Sequence, residues 1–152
     1  MGFRKWLSSA GGALLGAIPA CSAACSLAPS AYDLEAFLTQ RDSLQVVILA
    51  KVVAVEDLPP RPQMVSEQEV EFEVLRSWRG GNQPTIVATI GVGEPSGTSC
   101  NGIGDLRVKL RQTWLMVGSY DNTGFRPSAL KSKLLPDGVL PAETLKLLES
   151  SK

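Results

Sequence analysis

The feature that most constrains this chain of 152 residues is an apolar run between Leu44 and Val55. It reads Val46-Val47-Ile48-Leu49-Ala50-Lys51-Val52-Val53, and β-branched residues of this kind favour extended backbone. Successive side chains of a strand point to opposite faces, so both faces of this strand would be apolar. The run therefore predicts a central strand that is buried on both sides or curled into a barrel.

Four further strands are predicted from alternation and turn residues. The second covers Met64 to Ser77, the third Thr85 to Ile90, the fourth Leu106 to Val117, and a weaker fifth Phe125 to Ala129. Alternation in the second puts an acidic stripe on one face and an apolar stripe on the other. The acidic stripe is Glu67, Glu69, Glu71 and Glu73, and the apolar stripe is Val70, Phe72 and Val74.

Prolines and glycines separate these strands. Three prolines make Asp57–Gln63 a loop, Gly80-Gly81-Asn82 is a turn, and Gly91–Gly104 is a glycine-rich loop without the spacing of a phosphate-binding motif. A short helix over Ala31–Asp42, capped by Ser30, and a terminal helix over Pro141–Ser150 complete the pattern.

Five short strands with a helix at each end predict a mainly β, single-domain protein. A five-stranded barrel of the oligonucleotide/oligosaccharide-binding (OB) type fits best, because the long first strand has two apolar faces. The domain would span residues 25–152, with its core in residues 25–130.

The N-terminal segment has the features of an export signal. Arg4 and Lys5 precede a stretch from Trp6 to Ala20 that has no charge and is too short to span a membrane comfortably. Two ways of processing this signal fit the sequence. Cleavage after Ser22-Ala23-Ala24 would remove residues 1–24 as a signal peptide and give a mature start at Cys25. Alternatively, Ile18-Pro19-Ala20-Cys21 resembles the lipobox of bacterial lipoproteins, so that residues 1–20 are removed and lipid is attached to Cys21.

Composition excludes several kinds of chemistry. With no histidine, the chain has no Ser-His-Asp or Cys-His nucleophile system and no histidine metal ligand, and three cysteines cannot form a Cys₄ zinc site. Loss of Arg4 and Lys5 leaves the mature chain with a net charge of about −2, so it has no electrostatic attraction to nucleic acid. Two stripes, the acidic one and a basic one at Arg107, Lys109 and Arg111, are interpreted as solvated strand faces. We expect no cofactor and no resident metal.

Three segments resemble the netrin-like domain of tissue inhibitors of metalloproteinases and their bacterial relatives. Cys25-Ser26-Leu27-Ala28-Pro29 followed by a helix and by Val46–Val52 is similar to the start of the inhibitors. Glu71–Gly80 resembles the second strand of the bacterial relatives, and Ser99-Cys100 before Trp114-Leu115-Met116-Val117-Gly118 resembles the loop cysteine and the strand after it. The resemblance spans roughly Cys25 to Ala129.

The resemblance implies a disulfide and a site. Cys25 would pair with Cys100, and a second family disulfide would be absent, because Leu27 and the region of Ala129 hold no cysteine. In the inhibitors, the amine and carbonyl of the first cysteine chelate a protease's zinc and the next side chain enters the adjoining pocket. Those roles would fall to Cys25 and Ser26. An amide nitrogen has no lone pair to donate, so they require Cys25 to be a free terminus, and a mature start at Cys21 excludes them.

Three functions remain open. The first is a non-enzymatic binding domain in the periplasm or cell envelope, or secreted, that binds an extracytoplasmic protein and is attached to the membrane if Cys21 is lipidated. The second is inhibition of a zinc metalloprotease through Cys25. The third is an enzyme, although Asp105 and Asp121 near loop ends are not marked out by spacing as a catalytic pair. Fold alone does not choose among them.

Overall fold

The computed structural model describes residues 33–40, 42–60, 66–92 and 106–151. This part of the chain forms six strands and two helices. In chain order they are α1 (Leu34–Thr39), β1 (Gln45–Asp57), β2 (Ser66–Arg79), β3 (Thr85–Val92), β4 (Thr113–Asp121), β5 (Gly124–Pro127), β6 (Lys133–Leu135) and α2 (Ala142–Ser150).

Five of the strands close into a barrel. Their order is β1-β2-β3-β5-β4, and β4 pairs back to β1 from Gln45↔Ser119 to Lys51↔Thr113. All pairs are antiparallel except β3 with β5, which meet in parallel at Ala88↔Phe125. This is an OB-like barrel with a short N-terminal helix and a C-terminal helix, as the sequence predicted.

The two-sided apolar pattern of β1 arises because the strand lies between two cores. Val46, Ile48, Ala50 and Val52 point into the barrel, where they join a cluster that includes Phe72 of β2. Val47 points outward instead, into a second cluster beneath the two helices. Alternation of side chains across one strand thus serves both cores.

The second core lies between the outer face of the barrel and both helices. Leu34 and Leu38 of α1 and Leu148 of α2 pack there. The barrel contributes Val47, Trp78, Leu115, Val117 and Leu135. The predicted C-terminal helix is confirmed, and its Leu145 and Leu148 both pack against this cluster.

The described N-terminal helix is shorter than predicted and has a different cap. It begins at Leu34, and the Asp33 carboxylate accepts a hydrogen bond from the Ala36 N–H at 3.0 Å. Asp33 directly precedes the first buried residue of the helix and is as good an N-cap as serine, so it caps the helix instead of Ser30.

The fourth predicted strand is wrong over its first half. Residues 106–109 are not in a strand, and β4 begins only at Thr113. Leu106 and Val108 are nevertheless buried in the barrel interior. Their alternation with exposed Arg107 and Lys109 therefore reflects a segment that places every second side chain in the core without pairing as a strand.

The sequence reading also missed β6 and misplaced several strand ends. β1 extends to Asp57, β2 to Arg79 and β3 to Val92, so Gly91 is in a strand. The Gly80-Gly81 turn is confirmed, with both glycines in the left-handed region at φ 54° and 61°. Residues 93–105, most of the glycine-rich loop, lie outside the described residues.

Candidate functional site

The residues that the sequence singles out for chemistry lie outside the described part of the chain. Cys21, Cys25 and Ser26 fall within residues 1–32, and Cys100 falls within residues 93–105. The disulfide, the lipid attachment and the zinc-chelating N-terminus therefore stay predictions. Ala129 is described, and it packs half-buried against the interior core.

The end of β3 defines one end of the barrel. β3 finishes at Val92, which pairs with Ser66, the first described residue of β2. The β1–β2 connection therefore leaves the barrel at the same end, where β1 finishes at Asp57. We call this the upper end, and the opposite end, where β2 turns into β3 at Gly80-Gly81, the lower end.

A tight turn at residues 109–112 lies on the upper side of β4. The Gln112 N–H donates to the Lys109 carbonyl at 3.2 Å, and the Gln112 side-chain carbonyl accepts from the Lys109 N–H at 2.7 Å and the Trp114 indole N–H at 3.2 Å. Arg111 has φ 70°, the only positive value among described residues other than glycine. Left-handed backbone at such a residue costs about 1–2 kcal/mol, and two bonds with Val52 hold it there.

This turn presents an apolar side chain to solvent. Leu110 is 54% exposed and Leu134 of β6 is 40% exposed. Both line a shallow depression of about 330 Å³, which we call the rim pocket. Its lining is Leu110, Arg111, Gln112, Thr113, Leu134, Leu135 and Pro136.

The lower end is held by a single arginine. Arg79, the last residue of β2, donates to the Gln45 side-chain carbonyl at 2.6 Å and to the carbonyls of Gln40 at 3.1 Å, Ser151 at 3.0 Å and Leu38. Three of these acceptors lie at the C-terminal ends of α1 and α2, where the helix dipole favours a cation. Arg79 thus joins both helices to the barrel.

A groove of about 350 Å³ lies beside Arg79 between the two helices. Its walls include Glu35, Thr39 and Ser150 besides Arg79 itself. Four guanidinium N–H groups are already bonded to neutral acceptors, and Glu35 adds a negative charge to the wall. We therefore interpret the groove as a gap between helices and not as an anion site.

Most of the acidic stripe of β2 lies on the outer face of the sheet, as predicted. Its members Glu69, Glu71 and Glu73 are exposed or half-buried and alternate with residues that are buried in the barrel. Lys51 of β1 stands directly opposite Glu73. Higher up, Glu56 of β1 stands directly opposite Glu69, which places two like charges across from each other. The basic residues that were predicted to form a strand stripe instead surround the turn before β4, and β2 and β4 do not pair.

Trp78 and Tyr120 belong to the cores rather than to a ligand cage. Trp78 is 7% exposed, and the Arg76 guanidinium lies 4.9 Å from its ring centroid while also pairing with Glu149 of α2. The Trp78 indole N–H is buried and has no hydrogen-bond partner among the described residues. Tyr120 packs against the Phe125 ring at a centroid distance of 5.8 Å.

Asp121 serves a turn. Its carboxylate accepts bonds from the Thr123 hydroxyl, from the Thr123 N–H at 2.7 Å and from the Arg126 Nε at 2.6 Å. These bonds, led by the Thr123 hydroxyl, lower the pKa of Asp121 from its usual 3.8. A lowered pKa suits a fixed anion better than a general acid.

Within the described ranges, no group of three or more potential ligands among Asp, Glu, Cys and His could hold a metal ion. The helices described there are also not long and apolar enough to cross a membrane.

No family model matches the sequence, and a search of curated proteins finds no match.

Proposed function

We propose that this chain is an exported, non-enzymatic binding domain of the netrin-like class, and that it binds an extracytoplasmic protein through the upper end of its barrel. The rim pocket supports this proposal best. Two exposed leucines share it, and the turn that presents Leu110 keeps Arg111 in a strained backbone conformation. Strain that persists at an exposed turn is typical of sites that fix a side chain for contact.

A photo-crosslinking amino acid at position 110 tests the binding surface. Position 87 is a matched control, because Val87 is 50% exposed but lies on the outer face of β3, away from the rim pocket. We expect an adduct of one defined mass from position 110 in the cell envelope and none from position 87. Equal adducts from both positions, or none from either, would contradict the proposed surface.

Export is tested by the N-terminus of the protein recovered from cells. A start at Cys25 or at a lipidated Cys21 supports export, whereas an intact Met1 refutes it. Mass spectrometry with and without reductant tests the Cys25–Cys100 disulfide on the same sample. Two free thiols in exported protein would refute the pairing.

A second candidate function is inhibition of a zinc metalloprotease by Cys25 and Ser26. The sequence Cys25-Ser26 and the end of β3 at Val92, on the upper side of the barrel, favour it. As part of this proposal, the Cys25–Cys100 disulfide holds the N-terminus near that end, which carries the rim pocket. The terminal amine and the Cys25 carbonyl would then face a partner's zinc from that end.

The matched experiment changes one residue at the terminus. Protein that begins at Cys25 is compared with the same protein carrying one added alanine before Cys25, each titrated against a panel of zinc metalloproteases. Inhibition by the first and none by the second is the expected result for chelation. Equal inhibition would exclude the chelating mechanism, and a natural start at Cys21 would exclude this function altogether.

A further inference from the structure

The upper part of β1 has an edge that pairs with no described strand. β4 pairs with β1 only as far as Lys51↔Thr113, and the last described backbone hydrogen bonds on that side join the 109–112 turn to Val52. Beyond that point β1 continues to Asp57, and its described partner is β2 alone. We call Val53–Asp57 the upper edge.

The hydrogen-bond pattern identifies which backbone groups this edge offers. The Leu58 N–H donates to the Glu67 carbonyl at 2.9 Å, so the polar groups of residue 58 point toward β2. In an antiparallel pair, successive residues alternate between bonding the partner strand and facing away from it. Glu56 and Ala54 therefore also face β2, and the backbone groups of Val55 and Asp57 point away from it.

The two faces beside this edge differ in chemistry. Val55 packs half-buried against the interior core and stands opposite the fully buried Val70. On the other face, Glu56 is exposed and stands opposite Glu69. Residues 52–57, 66–72 and 86–92 contain five acidic residues and no basic one, which are Glu56, Asp57, Glu67, Glu69 and Glu71. Among the described residues, basic ones flank the edge at its Val52 end, where the 109–112 turn carries Lys109 and Arg111.

We propose that the upper edge of β1 binds an extended segment of a partner protein in which apolar and basic residues alternate, added as a further antiparallel strand. Such strand addition is a general mode of peptide recognition, with main-chain bonds for affinity and alternate side chains for specificity. An apolar residue of the segment would lie beside Val55. A basic residue on the other face would lie beside Glu56 and offset its repulsion by Glu69.

The charge on this edge determines which strands it accepts. Charged side chains on an edge strand oppose pairing with a second copy of the same edge. A basic segment meets the opposite situation, because each of its cations approaches carboxylates. The upper edge adjoins the rim pocket, because Arg111 and Gln112 of that pocket bond Val52. Glu56 and Leu110 are tested by separate changes, so binding at either surface can fail without the other.

A labelled nine-residue peptide of alternating valine and lysine, with blocked ends, is the probe for the mature protein. We expect saturable binding in fluorescence anisotropy that weakens as salt rises. An alternating valine–glutamate peptide should not bind. Equal binding of a peptide with the same valines and lysines in scrambled order would overturn strand addition.

Backbone methylation of the peptide gives the sharpest test. In an antiparallel hydrogen-bonded pair, opposite residues share a face, so the valines beside Val55 would carry the amides that bond β1. N-methylation of the valines should abolish binding, and N-methylation of the lysines should leave it intact. The same loss from both sets, or no loss from either, would refute the proposal.

A charge reversal in the protein tests the location. Glu56→Lys should weaken the valine–lysine peptide by about tenfold. Because this change also removes the Glu56–Glu69 repulsion, it should not lower the stability of the barrel. Glu143→Lys on α2 makes the same change in net charge far from the edge and should leave the affinity within about twofold. If both variants lowered the affinity for the peptide equally, the binding would be non-specific charge attraction and the proposed site would be wrong.

Discussion

The two ends of the barrel are stabilised in opposite ways. At the lower end, one guanidinium makes four hydrogen bonds to acceptors from α1, β1 and the end of α2. At the upper end, an exposed leucine lies on a strained turn, and a strand continues past its last described partner on one side. At the lower end, Arg79 and the polar groups around it are hydrogen-bonded to one another and stabilise the fold. The upper end leaves apolar and backbone groups available to a partner.

The largest test of this contrast is Arg79→Met at the lower end. The change keeps a long apolar stem but removes all four hydrogen bonds, and bonds to charged groups contribute about 1.5–3 kcal/mol each without adding fully. We expect the free energy of unfolding to fall by about 3 kcal/mol in a urea titration. Arg126→Met, which removes an exposed pair with Asp121, should cost less than about 1 kcal/mol. Equal losses from the two variants would show that Arg79 has no special role.

Arg111→Gly tests the upper end and should act in the opposite direction. Glycine adopts φ 70° without steric cost, so the substitution relieves about 1–2 kcal/mol of strain and loses about 0.5–1 kcal/mol through the greater freedom of the unfolded chain. The net expectation is a rise of about 0.5 kcal/mol in the free energy of unfolding. Thermal denaturation measures it, and a clear loss of stability would mean that the arginine side chain supports the fold.

The smallest effect concerns pH and the turn at Asp121. Because the pKa of Asp121 is lowered in the folded state, its bonds to Thr123 and Arg126 are at full strength above pH 3.8 and are lost as pH falls through the lower folded value. Asp121→Asn should therefore make the midpoints of thermal unfolding at pH 6 and at pH 3 differ by less than they do in the unchanged protein. An unchanged difference would show that the turn does not contribute to the acid response.

Period-two alternation predicted the barrel strands well, but it could not tell a strand from a buried loop. The face of Val70 and Phe72 lies in the core as the pattern indicated, since both residues are fully buried. The same pattern at Leu106 and Val108 failed, because burial of alternate side chains does not require a paired strand. Long-range polar contacts were beyond local reasoning as well. Arg79 closes a sequence typical of a strand end, and only the fold brings Gln40 and Ser151 to it.

The second core also limits the order in which the chain can fold during synthesis. Leu148 lies 101 residues after Val47, another member of that cluster, and the Ser151 carbonyl that Arg79 binds comes later still. A growing chain can pair β1 with β2 as soon as both have been made, but it cannot cover Trp78 and Val47 until α2 follows. A nascent chain that stops before Ala142 should therefore expose an apolar surface on one side of its barrel, to which a chaperone can bind.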